Sequence, residues 1–136
     1  MNTTSTPSNV NTTHTERELA IQVVAQPKDV NAAGDIFGGW LVSQMDLAGA
    51  ILAERLAAGR VATVAIDNMV FIAPVAVGAL VSCYTTLIKI GNTSVRIQID
   101  VFATTSPHNT PTPVASGHFT FVALDHNGRP RPVQNS

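Results

Sequence analysis

Apolar and polar positions along this chain fall into one helical and five strand-like patterns. In Glu16 to Ala25, ERELAIQVVA, Leu19, Ile21 and Val23 occupy alternate positions, the period of a short strand, and Pro27 ends it. Gly38 to Gly59 is rich in Leu and Ala and has a glycine at each end; Leu41, Met45, Ala48, Leu52 and Leu56 form one stripe at helical spacing. Trp40, Leu47 and Ile51 add apolar surface off that stripe, so this helix is expected to be enclosed by other elements. Asp46, Glu54 and Arg55 interrupt it too often for a membrane span. Val61 to Ile72 is apolar on both alternating faces apart from Thr63, Asp67 and Asn68, as expected for a strand covered on two sides. Ala79 to Ile90 follows the turn over Pro74 to Gly78. After Gly91-Asn92, Ser94 to Phe102 sets Val95, Ile97, Ile99 and Val101 against Arg96, Gln98 and Asp100, the second arm of a hairpin. Ser106 to Pro113 reads as a loop, Val114 to Leu124 as the last strand and Asp125 to Pro132 as a turn and tail.

One strand, one long helix and four strands expected to form an antiparallel meander make an α+β domain in which a sheet wraps a single central helix. At 136 residues there is room for one such core. The domain is expected over 16–133, with 134–136 a short tail. Met1 to Thr15, built mainly of Thr, Asn and Ser, has too little to bury and is expected to be disordered. With 45% apolar and only 12% charged residues, the chain is poor in the charge that a small monomer needs to cover itself. A homodimer is therefore the minimum expected unit, stacked into a tetramer or hexamer. Eight Lys+Arg against nine Asp+Glu, with no basic cluster, offer nothing to a nucleic-acid backbone. Cys83 has no partner for an intramolecular disulfide and the first residues lack a secretory pattern, which points to a reduced, cytoplasmic protein.

Four segments carry a family resemblance: NAAGDIFGGWLVSQMD (Asn31 to Asp46), AIDNMVFIAPVAVG (Ala65 to Gly78), KIGNTSVRI (Lys89 to Ile97) and FTFVALDHNGRPRPV (Phe119 to Val133). Together they resemble the short acyl-CoA thioesterases of the YciA-type branch of the hotdog superfamily. The resemblance implies a hotdog fold and hydrolysis of acyl-CoA to a free acid and CoA. It implies no metal and no cofactor, coenzyme A being part of the substrate.

Thioester hydrolysis needs a polarised carbonyl, a base or nucleophile beside it and a slot for the acyl chain. Gly38 and Gly39 open the helix with amides that no side chain covers, at the positive end of its dipole. They either form an oxyanion site or only let the chain turn tightly; the resemblance favours the first. Asp46 lies two turns into the helix among Ser43, Gly49, Ala50 and Ala53, small neighbours that let a strand, a partner chain or a substrate approach. The resemblance makes Asp46 the catalytic carboxylate, as general base or as nucleophile. Asp35 is placed to cap the helix; the resemblance, through relatives that use an Asn here near the thioester, adds a secondary role in positioning it. Ser43 and Gln44 either line the site or face solvent.

For the phosphates of coenzyme A, the turn over Lys89, Gly91, Asn92, Thr93 and Ser94, with Arg96 beyond it, offers amides, hydroxyls and cations. Relatives commonly carry Arg where this chain has Asn92, which weakens that turn as a phosphate site. Arg129 and Arg131 are possible substitutes. His14, His108, His118 and His126 have no metal-ligand spacing, and no G-x-S-x-G elbow occurs. A non-catalytic acyl-CoA-binding module on the same fold is the alternative; a hotdog dehydratase would need a histidine near the helix start.

Overall fold

The computed structural model describes residues 16–106 and 108–133; the tail expected at Met1 to Thr15 and residues 134–136 lie outside them. Five strands form one antiparallel sheet: β1 (Glu18–Val24), β2 (Val61–Phe71), β3 (Leu80–Ile90), β4 (Ser94–Thr104) and β5 (Thr112–Ala123). Among the described residues one α-helix, α1 (Gly38–Ala57), lies across one face, preceded by a 3-10 turn at Pro27–Asp29. The architecture is the expected α+β hotdog arrangement.

The strand order is β1-β3-β4-β5-β2, which corrects the four-strand meander. Hairpins join β3, β4 and β5 only, while β2 pairs with β5 at the far edge of the sheet. The cause lies in the segment between β2 and β3. It is too long for a tight hairpin, carries Pro74, and ends by docking on the end of β1, where Ala25 N–H donates to Ala79 and Gly78 N–H to Ala25. Gly78 supplies the positive φ of +90° that this return requires. β3 therefore starts beside β1 and leaves β2 with one neighbour.

The core lies between helix and sheet. Leu41, Met45, Ala48 and Leu52 are buried as the stripe requires, joined by Gly49, Ala53 and Ala57. They meet Val95, Ile97 and Ile99 of β4 and Phe119 and Phe121 of β5, whose rings stack 6.4 Å apart. Cys83 belongs to this core and is fully buried, which pushes its thiol up to about 12.

Two expectations of enclosure are not met within one chain. Leu47 and Ile51 face outward from α1 at 55% and 46% exposure. β2 is not covered on two sides: Val64, Ile66, Val70 and Phe71 are all exposed, because an edge strand has a neighbour on one side only.

Gly49 sets how closely the helix approaches the sheet. A Cβ there would sit 2.7 Å from Phe121 Cζ and 2.8 Å from Ile99 Cδ1. Gly49→Ala is therefore expected to lower unfolding stability by about 1–3 kcal/mol through overpacking, seen as a lower denaturant midpoint at unchanged slope. A midpoint equal to or above the parent's would show that the contact is slack.

Candidate active site

α1 begins without a side-chain cap. Phe37 occupies the N-cap position with φ −59° and ψ 137°, so the expectation that Asp35 caps the helix is wrong. Asp35 belongs to the preceding turn, where its carbonyl accepts from Asn31 N–H at 2.7 Å and its own N–H donates to Asn31 Oδ1. The Asp35 side chain is exposed and lines a cavity of about 300 Å³ with Ile36, Gly38, Leu41, Phe71 and Val75. This slot is walled mainly by apolar side chains and opens at the helix start.

The two glycines differ. A Cβ on Gly38 would stand 3.1 Å from the Phe71 ring, so Gly38 lets Phe71 lean over the helix start. A Cβ on Gly39 would meet nothing within 4 Å, and Gly39 has no positive φ. Neither packing nor conformation within this chain requires glycine at position 39. Among the described residues, no backbone carbonyl accepts from the amides of Gly38 and Gly39. Two unpartnered amides at a positive helix end, with open space beside Gly39, can stabilise an oxyanion.

Asp46 stands on the same face of α1 as Gly39, two turns on, half-buried. Its Oδ1 accepts from Thr63 Oγ1 of β2 at 2.5 Å. The register of β2 against β5 slips between Thr63 and Ala65. That bulge leaves Thr63 opposite the buried Phe121 and so on the helix side of the sheet. Thr63 was not among the residues nominated from sequence, and its signal was a hydroxyl interrupting an otherwise apolar strand. Ser43 donates to Trp40 carbonyl oxygen at 2.7 Å, a bond within its own helix; Gln44 is half-buried.

The residues nominated for phosphate do not gather at this site. Arg96 Nη1 donates to Asp67 Oδ2 at 3.0 Å and Nη2 to His118 Nδ1 at 3.1 Å. Its neighbours Val95 and Ile97 are buried, so Arg96 points to the sheet face away from α1, and Lys89 stands opposite it in the ladder. Gly91 N–H is engaged by Ser94 carbonyl at 2.7 Å, while Asn92 and Thr93 carbonyls accept from Val133 and Ala123. Arg131 is partly engaged: three of its five N–H donors hold the carbonyls of Ala57, Leu124 and Pro132. Among the described residues no group of His, Cys, Asp and Glu is arranged to hold a metal, and no helix is long and apolar enough to cross a membrane.

A sheet wrapped on one helix, free amides at that helix's start, an apolar slot beside them and a hydroxyl-supported carboxylate two turns on define a hotdog-fold thioesterase. Comparison with known proteins agrees, residues 33–107 matching the model of the thioesterase superfamily. The chain is 45% identical over 129 residues to the acyl-CoA thioester hydrolase YciA of Escherichia coli, covering 91% of this chain and 98% of that one. It is similar to the structure of a hexameric broad-specificity acyl-coenzyme A thioesterase, solved with one aspartate replaced by alanine (TM-score 0.83, 44% identity, 88% of each chain). It is also similar to the acyl-CoA hydrolase of Staphylococcus aureus, solved as an aspartate-to-alanine variant (TM-score 0.77, 25% identity, 85% of this chain and 71% of that one) and as a threonine-to-alanine variant. The chain belongs to the thioesterase superfamily.

The open space at Gly39 generates a test in which stability and activity part company. Gly39→Ala replaces a poor helix former and is expected to leave the melting temperature unchanged or raise it, by up to about 1 kcal/mol of stability. Thioester hydrolysis is expected to fall at least about tenfold as the methyl group crowds the amides. Unchanged turnover would remove Gly39 from the site.

Proposed function

We propose that this chain is an acyl-CoA thioester hydrolase, in which Asp46 either attacks the thioester carbonyl carbon or takes a proton from the attacking water, and the Gly38 and Gly39 amides hold the thioester oxygen. The observation that carries the catalytic assignment is the Thr63 to Asp46 hydrogen bond across 17 residues of sequence. In the Staphylococcus aureus hydrolase, the aspartate and the threonine chosen for replacement are also 17 positions apart. Thr63 fixes one carboxylate oxygen and leaves the other to meet water or the carbonyl carbon. The slot beside Gly38 takes the acyl chain, with Asp35 at its mouth positioning the thioester.

Seven residues of helix separate Gly39 from Asp46, about 10 Å along the axis, which is too far for both to touch one carbonyl group. A second copy related by a two-fold axis and paired along β2 sets the two helices antiparallel. The free amides of one copy then approach Asp46 of the other. The exposed Val64, Ile66, Val70, Leu47 and Ile51 supply the apolar surface for that contact, and a hexamer, as the broad-specificity neighbour is named, stacks such dimers. A cytoplasmic place in lipid metabolism follows from the substrate class and from the lone reduced thiol. The non-catalytic binding module is disfavoured by the supported carboxylate, which binding alone does not need.

The test is release of free thiol from acyl-CoA esters from acetyl to palmitoyl; Cys83, buried and held protonated, adds no background. Asp46→Asn is expected to lower turnover at least ~10²-fold while CoA binding and assembly persist, and Thr63→Val to lower kcat about tenfold with little change in KM. Full activity in Asp46→Asn would refute the assignment. Light scattering is expected to give a hexamer, and a stable monomer at micromolar concentration would sink the shared site.

A further inference from the structure

The anionic end of coenzyme A still lacks cations, since Arg96 and Lys89 stand on the sheet face away from α1. A cavity of about 380 Å³ opens at the other end of the helix, between Gly59, Arg60, Leu124, Asp125, His126 and Arg131. Arg60 is exposed and has no carboxylate partner among the described residues, yet its backbone is fixed by Leu124 N–H donating to its carbonyl at 2.9 Å. Arg131 lines the same cavity. Three of its five N–H donors hold the carbonyls of Ala57, Leu124 and Pro132, which fixes the guanidinium and leaves two donors over. Gly59 makes room for it: a Cβ there would lie 2.8 Å from Arg131 Nη2. The one acid in the cavity, Asp125, turns Oδ1 into its own turn, accepting from the amides of Asn127 and Arg129.

We infer that Arg60, with His126 and the spare donors of Arg131, binds the phosphates of the coenzyme A moiety. The inference rests on the thioesterase reading above. From Asp46 to the helix end at Ala57 is about 16 Å of axis, a span suited to an extended pantetheine arm. The turn over Gly91 and Asn92 is tied to the same end through Val133 N–H to Asn92 carbonyl at 2.9 Å. Its Asn92 and Thr93 amides add donors rather than charge there. A guanidinium fork suits phosphate oxygens, and Arg131 caps the Ala57 carbonyl at the helix end, which reduces its repulsion of an anion.

The experiment compares Arg60→Gln with the parent on one acyl group carried by coenzyme A, by 3′-dephospho-coenzyme A and by N-acetylcysteamine, which has no phosphate. KM for acyl-CoA is expected to rise about tenfold, at unchanged kcat. Kinetics on the N-acetylcysteamine ester are expected to stay the same, and Arg60→Lys to recover part of the loss. A smaller effect on the dephospho ester would assign Arg60 to the 3′-phosphate, and an equal effect to the pyrophosphate. An equal change with the phosphate-free ester, or no change with acyl-CoA, overturns the inference while leaving the thioesterase reading intact. If the parent cleaves no acyl-CoA, that reading fails, and CoA affinity in the parent and in Arg60→Gln still decides whether Arg60 binds the phosphates.

Discussion

Everything in this molecule depends on how closely one helix can lie on a curved sheet. The buried side of α1 carries Ala48, Gly49, Ala53 and Ala57 among its larger residues, and Phe121 and Ile99 reach the helix backbone at Gly49. Large side chains of the sheet meet small ones of the helix at this point, and no buried polar side-chain atom is left unpaired among the described residues. Held at that distance, Asp46 can reach a strand hydroxyl. A helix raised by even one methyl group would carry its carboxylate away from Thr63.

That arrangement covers only part of the apolar surface. Placing β2 at the far edge gives it β5 on one side and nothing on the other, so several of its large side chains reach solvent. The same edge position brings β2 alongside α1, and the bulge at Val64 gives Thr63 its helix-facing direction. One topological choice thus produces both the support for the carboxylate and the surface that a second copy would cover. Catalytic support and assembly share a strand, and a change in β2 acts on both.

The helix, the strands and the wrapped architecture were legible because each rests on local periodicity: the stripe through Leu41, Met45, Ala48 and Leu52, and the strict alternation from Val95 to Val101. Strand order was not, since whether β2 turns back on β3 or crosses to β5 is decided by contacts distant in sequence, such as Gly78 with Ala25. The site divided in the same way. Asp46 and the two glycines lie on one helix and could be placed by counting turns. Thr63 depends on a bulge in another strand, and the facing of Arg96 on which side of the sheet holds the core. Asp35 was taken for a cap because its spacing suits one, whereas the chain enters α1 through Phe37 and uses Asp35 in the turn before it.

In a chain with so few charges, where each cation is engaged carries information. Arg55 pairs with Glu18, Lys28 with Asp29 and Arg96 with Asp67, while Arg17 lies over the rings of Tyr84 and Phe102. Arg131 closes the end of α1. Pairs whose cation is exposed, as in Arg55 and Lys28, add little to stability, but they remove those cations from the set free to meet an anion. Arg60, Lys89 and Arg129 are left exposed without a carboxylate partner among the described residues, and of these three Arg60 alone lines the cavity at the end of α1, on a backbone pinned to the segment after β5. Net charge gives no hint of such a site, because the favourable field at a cavity comes from one or two fixed guanidinium groups and not from the sum over the surface.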